Sequence, residues 1–267
     1  MEMIQTEKLV YEYEKRDEEG NVESIQTALD KVSLDVKKGD FIAVLGHNGS
    51  GKSTLMYLLD RLYPLSPENG RIEIGGVDIA DISSDWLRRN IGMVLQEPFL
   101  FSRTLEENIA IASGQEPEDG KDGEHSRLAR VRSAARIARL DETITHFAKG
   151  YDTFVGERGV TLSGGQKQRT AIAQMLIRKP PVMVFDDSLS AVDAETDAEI
   201  RRALRENVGS ATVILIAHRL TTLMHADQIL VMDQGRLVQR GTHEELLAQD
   251  GIYRQIYDLQ VRQSGSR

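Results

Sequence analysis

The sequence predicts an α/β protein, on two observations. Short apolar segments with the length of buried parallel strands recur along the chain, namely "FIAVL" (Phe41–Leu45), "VMVF" (Val182–Phe185) and "VILIA" (Val213–Ala217). Segments with apolar residues at helical spacing alternate with them, as the crossover helices of a parallel sheet do. No apolar run approaches the roughly 18 residues that a membrane-spanning helix needs.

The first third of the chain favours strands of a partly antiparallel sheet, "LVYEY", "VSLDV" and "RIEIGG". "FIAVL" leads through a glycine-rich loop into the amphipathic helix "STLMYLLDRLY", and "IGMVL" is a further strand. From about Glu97 to Arg178 the pattern is helical. The polar stretch Ser113–Ser126 interrupts it and is predicted to be a surface loop.

The last third returns to alternation. We predict, in order, a strand, a helix, a strand, a helix and a hairpin around Gln234–Gly235. Two short helices close the chain, with Thr242 and Asp250 as candidate caps. The prediction is one domain over residues 1–267. Its core, with an antiparallel β subdomain, takes residues 1–96 and 179–267, and an inserted helical subdomain takes residues 97–178.

Composition weighs against nucleic acid as a partner. The net charge is −9, whereas binding a phosphate backbone needs clustered Lys and Arg. The basic run Arg127–Leu140 has apolar residues at helical spacing, which favours a solvated amphipathic helix. Absence of cysteine suits the cytoplasm.

"GHNGSGKST" (Gly46–Thr54) fits G-x-x-x-x-G-K-[ST] between a strand and a helix. Three glycines let backbone N–H groups turn toward phosphate oxygens, and the helix adds the positive end of its dipole. Lys52 would neutralise the β and γ phosphates, and Ser53 would ligate Mg²⁺. We therefore predict a P-loop NTPase core, in which the nucleotide contacts come from Gly46, Asn48, Gly49, Ser50, Gly51, Lys52, Ser53 and Thr54.

"TLSGGQKQR" (Thr161–Arg169) opens a second helix whose first amides can bind an anion, with Ser163 at its cap and two glycines after it. One globular unit cannot easily place two such helix ends on one γ-phosphate. A head-to-tail dimer solves this, since each chain's serine–glycine segment then closes the other's phosphate loop.

Together, "LSGGQ" and "GHNGSGKST" make the chain similar to the ATP-binding cassette (ABC) family of transporter ATPases over essentially its whole length. The resemblance implies ATP and Mg²⁺ as ligands. It places Ser163, Gly164, Gly165 and Gln166 on ATP, and Ser53, Gln96 and Asp186 on the metal ion. It also implies that His218 contacts the γ-phosphate, that "SLSAVD" (Ser188–Asp193) signals across the dimer, and that Tyr13, rather than Tyr11, stacks on adenine.

The resemblance assigns catalysis to Lys52, Gln96, Asp187 and His218. At position 187 the family normally has Glu, which would polarise the attacking water. Asp withdraws the carboxylate by about 1 Å, and a misplacement of that size can cost on the order of 10²-fold in rate. Asp187 is also well suited to capping the turn that follows, and a residue can cap and still be a poor base.

Two parts of the sequence resemble different branches of the family. From Leu55 onward, "EPFLFSRTLEENIA" and "FVGERGVTLSGGQ" resemble exporter-type (multidrug or lipid) cassettes, in which "VGERG" lies near the membrane domains. Residues 1–54 resemble the ATPase subunits of energy-coupling-factor vitamin importers. Natural divergence, recombination and a deliberate chimera all explain the change.

We expect a peripheral protein on the cytoplasmic side of the cell membrane, docked on separate transmembrane transporter domains. Its second partner would be another ABC ATPase chain. Asp187 beside an intact "LSGGQ" resembles the degenerate half of an asymmetric heterodimer. A slowly hydrolysing homodimer and an ATP-gated dimerisation module with little hydrolysis are the alternatives.

Overall fold

The computed structural model describes residues 2–113, 123–156, 161–187, 191–207, 209–217 and 219–264. In chain order, the strands are β1 Glu2–Arg16, β2 Val22–Lys37, β3 Phe41–Gly46, β4 Arg71–Ile74, β5 Val77–Asp78, β6 Ile91–Val94, β7 Val182–Phe185, β8 Thr212–Ile216, β9 Gln228–Asp233 and β10 Arg236–Gly241. The helices are α1 Lys52–Leu59, α2 Ser84–Asn90, α3 Leu105–Ala110, α4 Gly123–Ile137, α5 Asp141–Thr145, α6 Gly164–Leu176, α7 Ala194–Asn207, α8 Leu220–Leu223, α9 His243–Leu247 and α10 Ile252–Ser264.

The chain forms two compact units. Met1–Arg88 with Ala211–Arg267 is called the terminal unit, and Arg89–Ser210 the central unit. The predicted boundaries of the helical subdomain, 97 and 178, stay a prediction.

The terminal unit contains two sets of hydrogen-bonded strands. The first set is antiparallel, with the strand order β2-β1-β4-β5, and the second has the strand order β10-β9-β3-β8. In the latter, β3 pairs in parallel with β8 and with β9, and β10 closes an antiparallel hairpin. Every residue of β3 and β8 is buried, as expected of parallel strands covered on both faces. The α/β fold class, with its antiparallel β portion, is confirmed.

The central unit combines the parallel pair β6–β7 with helices. Strand β7 is fully buried, and Gly92 of β6 leaves room for Met175 of α6, because a Cβ there would lie 2.5 Å from the Met175 Cγ. Within α7, Arg201 and Asp197 form a buried ion pair with two bonds of 3.0 Å. A buried pair of this kind is costly to break, so it fixes the first turns of α7.

Three predicted element boundaries are corrected. The helical pattern does not begin at Glu97: α3 starts at Leu105, since Pro98 disfavours a helical residue before it and Thr104 caps the helix through a capping box. Helix α4 begins at Gly123, inside the predicted loop, whose residues 114–122 lie outside those described. Helix α1 ends at Leu59 rather than near Tyr63.

The early end of α1 has a tertiary cause. Arg61 adopts a left-handed backbone with φ 54°. Its guanidinium donates to the Ile79 and Ile82 carbonyl oxygens, at 2.9 and 2.6 Å, and to the Ser84 hydroxyl at 2.7 Å. These bonds offset the strain of a non-glycine residue in that conformation.

Candidate nucleotide-binding site

The phosphate loop joins the buried end of β3 to the start of α1, where Gly51 is the N-cap residue with φ 94°. Close approach of other backbone explains two of its glycines. A Cβ at Gly46 would lie 2.3 Å from the Met232 carbonyl oxygen, and one at Gly51 would lie 2.3 Å from that of Ala28. Gly49, with φ 79°, faces open space. The phosphate loop is therefore exposed at Gly49, whereas other backbone packs so closely on Gly46 and Gly51 that no side chain fits there.

The Lys52 side chain folds back onto the phosphate loop and is buried, with a relative exposure of 7%. Its ammonium donates to the carbonyl oxygens of Gly46 and His47 at 2.8 and 2.7 Å, and to the Ser50 hydroxyl at 3.3 Å. The loop thus concentrates one fixed positive charge and the α1 dipole at the same place. Such a site favours a multiply charged anion.

Tyr13 lies beside the loop. Its hydroxyl is 3.0 Å from Thr54 Oγ1, which is buried. The Tyr13 ring meets Tyr11 and Tyr63 edge-on, with centroids 5.3 and 6.0 Å away, while Tyr11 stacks on Tyr63. The hydrogen bond to Tyr13 raises the pKa of Tyr63, and burial raises that of Tyr11. Tyr13 is 38% exposed, so its ring offers a surface next to the phosphate loop.

The motif "TLSGGQKQR" is ordered by a reciprocal cap at the start of α6. The Ser163 hydroxyl accepts from the Gln166 N–H at 3.2 Å, and the Gln166 side-chain oxygen accepts from the Ser163 N–H at 2.9 Å. Ser163 and Gly164 are exposed, so this end of the helix is open to a ligand. The predicted capping role of Ser163 is confirmed.

Arg169 and Ala191 support this helix end. From the sequence, Arg169 had no expected role, and Ala191 was expected, as part of "SLSAVD", to signal across the dimer. The Arg169 guanidinium donates to the carbonyl oxygens of Gly165, one turn back, and Arg139. Burial lowers the Arg169 pKa, while the charge of Asp193 opposes that shift. A Cβ at Gly165 would lie 3.1 Å from the Ala191 carbonyl oxygen, so Ala191 packs closely on this glycine of "LSGGQ". The available signal was that Arg169 stands three residues after "LSGGQ", on the helix that this motif opens.

In the central unit, Asp186 is 2% exposed, and its N–H donates to the Val94 carbonyl oxygen at 2.9 Å, extending the β6–β7 pairing. Asp187 leaves the strand with a left-handed backbone, φ 45°, a conformation in which Asp is enriched. Gln96 is exposed two residues after β6, and its carbonyl oxygen accepts from buried Gln168 at 3.3 Å.

The structure thus brings Tyr13 to the phosphate loop, and Ala191 to the signature glycines. His218, residues 188–190 of "SLSAVD" and residues 157–159 of "VGERG" lie outside the described residues, so their assigned roles stay predictions. In the described part of the chain, no group of three or more His, Asp or Glu residues is arranged to hold a metal ion. No helix there is long and apolar enough to cross a membrane.

A parallel β-sheet core with a phosphate loop between β3 and α1 defines a P-loop nucleotide-binding protein. The profile of one family, described as ABC transporter, matches residues 29–190, which is more than half of the chain. This chain belongs to the ABC transporter family and is an ATP-binding domain of it.

Its relatives are consistent with this. The chain is 46% identical over 239 residues to an uncharacterised ABC transporter ATP-binding protein, YfiB, of Bacillus subtilis, covering 90% of this chain and 39% of YfiB. It is 44% identical over 236 residues to the leukotoxin translocation ATP-binding protein LktB of Mannheimia glucosida, covering 88% of this chain and 32% of LktB. The chain therefore spans about 32% to 39% of the length of these relatives.

A solved structure of a bacterial Atm1-family ABC exporter with ATP bound superposes with a TM-score of 0.84 at 38% identity. It covers 97% of this chain and 42% of the exporter chain, so the likeness reaches into residues 1–54. Exporter-type neighbours confirm the resemblance from Leu55 onward. They do not favour the vitamin-importer alternative.

Proposed function

We propose that this chain binds ATP with Mg²⁺ and hydrolyses it as one half of a head-to-tail pair that drives transport by membrane domains. One observation carries the proposal: two separate anion-binding helix ends lie in one chain, the phosphate loop with buried Lys52 and the open, capped start of α6 at Ser163. A partner chain would bring the second kind of helix end to the first.

For ATP, the loop amides and Lys52 would hold the phosphates, with Thr54 beside them, while the exposed Tyr13 ring would stack on adenine. Stacking there is supported by the packing of Tyr13 against Tyr11 and Tyr63, which fixes the ring.

The donor types that the family resemblance assigns to the metal ion suit Mg²⁺ by their chemistry. The Ser53 hydroxyl, the Gln96 amide oxygen and the Asp186 carboxylate are hard oxygen ligands, and Mg²⁺ takes few protein ligands beside phosphates and water. Bound there, the ion would neutralise charge on the β and γ phosphates. Three donors of this type without a larger carboxylate cage suit Mg²⁺ rather than Ca²⁺.

In hydrolysis, Asp187 would orient the attacking water, while Lys52 and His218 would stabilise charge on the γ-phosphate. The shorter Asp side chain would hold that water farther from its best position, so we propose slow turnover at the site built on Lys52 and Asp187. Ser163–Gln166 would complete the site of the partner chain. This chain therefore combines a slow site of its own with an intact "LSGGQ" for its partner. That combination fits best with a heterodimer in which this chain is the half with the degenerate site.

The second candidate is an ATP-gated dimerisation module with little hydrolysis. The Asp at position 187 is the observation that favours it, since dimer closure needs the phosphate loop and the signature helix but no base. A slow homodimeric ATPase is the remaining alternative.

Docking on membrane domains is supported by aromatic exposure in the central unit. Phe99 is 74% exposed, with Phe101 and Phe154 at 41% and 42%. Phe99 also lines a groove with Leu95 and Met175. Large exposed apolar side chains grouped in this way mark interaction surfaces. A peripheral position at the membrane, on its cytoplasmic side, follows from the proposal.

The test is steady-state ATP turnover by the purified chain and by Asp187→Glu, at concentrations that permit dimerisation. We expect Glu to raise the rate about tenfold or more, because its carboxylate reaches farther toward the water. Lys52→Ala is the control that removes phosphate binding. Equal, appreciable rates for the two chains would exclude the degenerate site, and absent turnover in both, with ATP bound, would favour the dimerisation module.

A further inference from the structure

The turn between β9 and β10 lies against the phosphate loop. Gln234 and Gly235 form it with φ values of 45° and 78°, as in the two-residue hairpin turns whose central residues are both left-handed. The Gly235 N–H donates to the Ser50 carbonyl oxygen at 3.2 Å. Ser50 is 3% exposed, so this hydrogen bond joins the turn to a buried residue of the phosphate loop.

A segment of β2 fills the space between the turn and the loop. The Asp30 N–H donates to the Gly235 carbonyl oxygen at 2.8 Å. The Ala28 carbonyl oxygen would lie 2.3 Å from a Cβ at Gly51 and 2.9 Å from a Cβ at Gly235. Backbone therefore touches backbone on both sides of Ala28, and a methyl group at Gly235 would push the turn or the strand away.

A displacement of the β9–β10 turn would also shift the groups that hold the Lys52 ammonium in the phosphate loop. The Ser50 N–H donates to the His47 carbonyl oxygen at 3.1 Å, and the Ser50 hydroxyl accepts from Lys52 at 3.3 Å. Moving the Ser50 carbonyl would thus move two of the acceptors of the Lys52 ammonium, the His47 carbonyl oxygen and the Ser50 hydroxyl. Since oriented phosphate contacts depend on sub-ångström placement, the turn can set nucleotide affinity without touching the nucleotide.

We propose that Gly235 is a positioning residue for the phosphate loop and, through Ser50, holds it in the shape that binds a nucleoside triphosphate. The inference rests on the proposed function, in which this loop holds ATP. It goes beyond that function, because the proposed function assigns no nucleotide contact to the β9–β10 turn, which is 185 residues from Ser50 in sequence.

A simpler account is that a turn of this type needs glycine for its backbone conformation alone. Gly20, in the β1–β2 hairpin turn, separates the two accounts. Its φ is 87°, similar to that of Gly235, but a Cβ there would meet nothing within 4 Å. Gly20→Ala therefore carries the conformational cost without the contact, and serves as the matched control.

The experiment compares Gly235→Ala with Gly20→Ala by calorimetric titration of the full chain with ATP and Mg²⁺, and by urea unfolding without nucleotide. We expect Gly235→Ala to weaken ATP binding about tenfold and Gly20→Ala by less than about twofold. The loss of stability should be larger in Gly235→Ala, because its methyl group also meets the Ala28 carbonyl oxygen. Equal ATP dissociation constants for the two variants would overturn the inference. Lys52→Ala tests the proposed function independently: if it still binds ATP like the parent chain, the assignment of the loop fails, whatever Gly235→Ala does.

Two further measurements guard against a poorly folded variant. Arg236→Gln breaks the exposed ion pair with Asp30, 2.5 Å long, and leaves the turn glycine in place, so we expect ATP binding within about twofold of the parent. In the unaltered chain, ATP should slow hydrogen exchange at the Gly235 amide and leave that of Gly20 unchanged. Unchanged protection at Gly235 would contradict the proposal.

Discussion

The contact between Tyr13 and Thr54 ties the aromatic cluster to the phosphate loop through one 3.0 Å hydrogen bond. Both roles proposed for Tyr13, a stacking surface and a hydroxyl partner, belong to the same side chain. They can be separated, because Phe keeps the ring and loses the hydroxyl.

For Tyr13→Ala we expect ATP to bind about tenfold more weakly, since base stacking on an aromatic side chain contributes about 1–3 kcal/mol. Tyr13→Phe should weaken binding by less than about fivefold, because the ring is kept and a part-buried neutral hydrogen bond contributes about 1 kcal/mol or less. Calorimetric titration measures both. Inorganic triphosphate, which lacks a base, is the control ligand: equal loss of ATP and triphosphate affinity in Tyr13→Ala would contradict stacking.

The residue type at position 187 affects both the local backbone conformation and the proposed catalytic base. Its φ of 45° lies where Asp is tolerated and Glu less so. The Glu that improves the base would therefore strain the backbone. The gain in turnover expected for Asp187→Glu should come with a small loss of stability.

At the scale of elements, α6 concentrates the second half of the proposed composite site. Its capping box satisfies the first turn, its exposed N-terminus faces outward, and Arg169 ties its first residues to the carbonyl of Arg139. The capping role of Ser163 and its proposed role in ligand binding overlap at the helix end, where a negative side chain would serve capping and oppose binding of a phosphate.

Replacing Ser163 separates those two roles. We expect Ser163→Ala to lower the free energy of unfolding by about 1 kcal/mol, the usual value of an N-cap. Ser163→Asp should unfold at parental urea concentrations, because Asp caps equally well, yet abolish ATP-dependent pairing through repulsion of the γ-phosphate. Urea unfolding and sedimentation with ATP distinguish the variants. Parental pairing in Ser163→Asp would count against a phosphate contact at Ser163.

At the scale of the whole molecule, the net charge of −9 opposes pairing of two identical chains. Bound ATP adds further negative charge to each composite site. Self-association would therefore depend on screening, with a Debye length of about 8 Å at physiological salt and about 30 Å at low salt.

If the chain forms a homodimer, raising the ionic strength from about 0.01 M to 0.15 M should strengthen ATP-dependent pairing, because screening weakens the repulsion between like-charged chains. Asp187→Asn is the form to use, since removing the base keeps ATP intact during sedimentation. A chain that stays monomeric with ATP at every salt concentration would instead favour the heterodimer.

Hydrophobic periodicity and two glycine-rich motifs determined much of this protein from sequence: the α/β class, the buried strands β3, β7 and β8, the hairpin at Gln234–Gly235 and the family. These features are local, because a strand's apolar run or a loop's glycines are read from adjacent residues. Long-range contacts decided the rest. The end of α1 follows from the bonds of Arg61 to residues near Ile79, and the fit of Gly51 and Gly235 around Ala28 joins three distant segments. Only the folded chain brings such backbone groups within contact distance, so no sequence pattern records them.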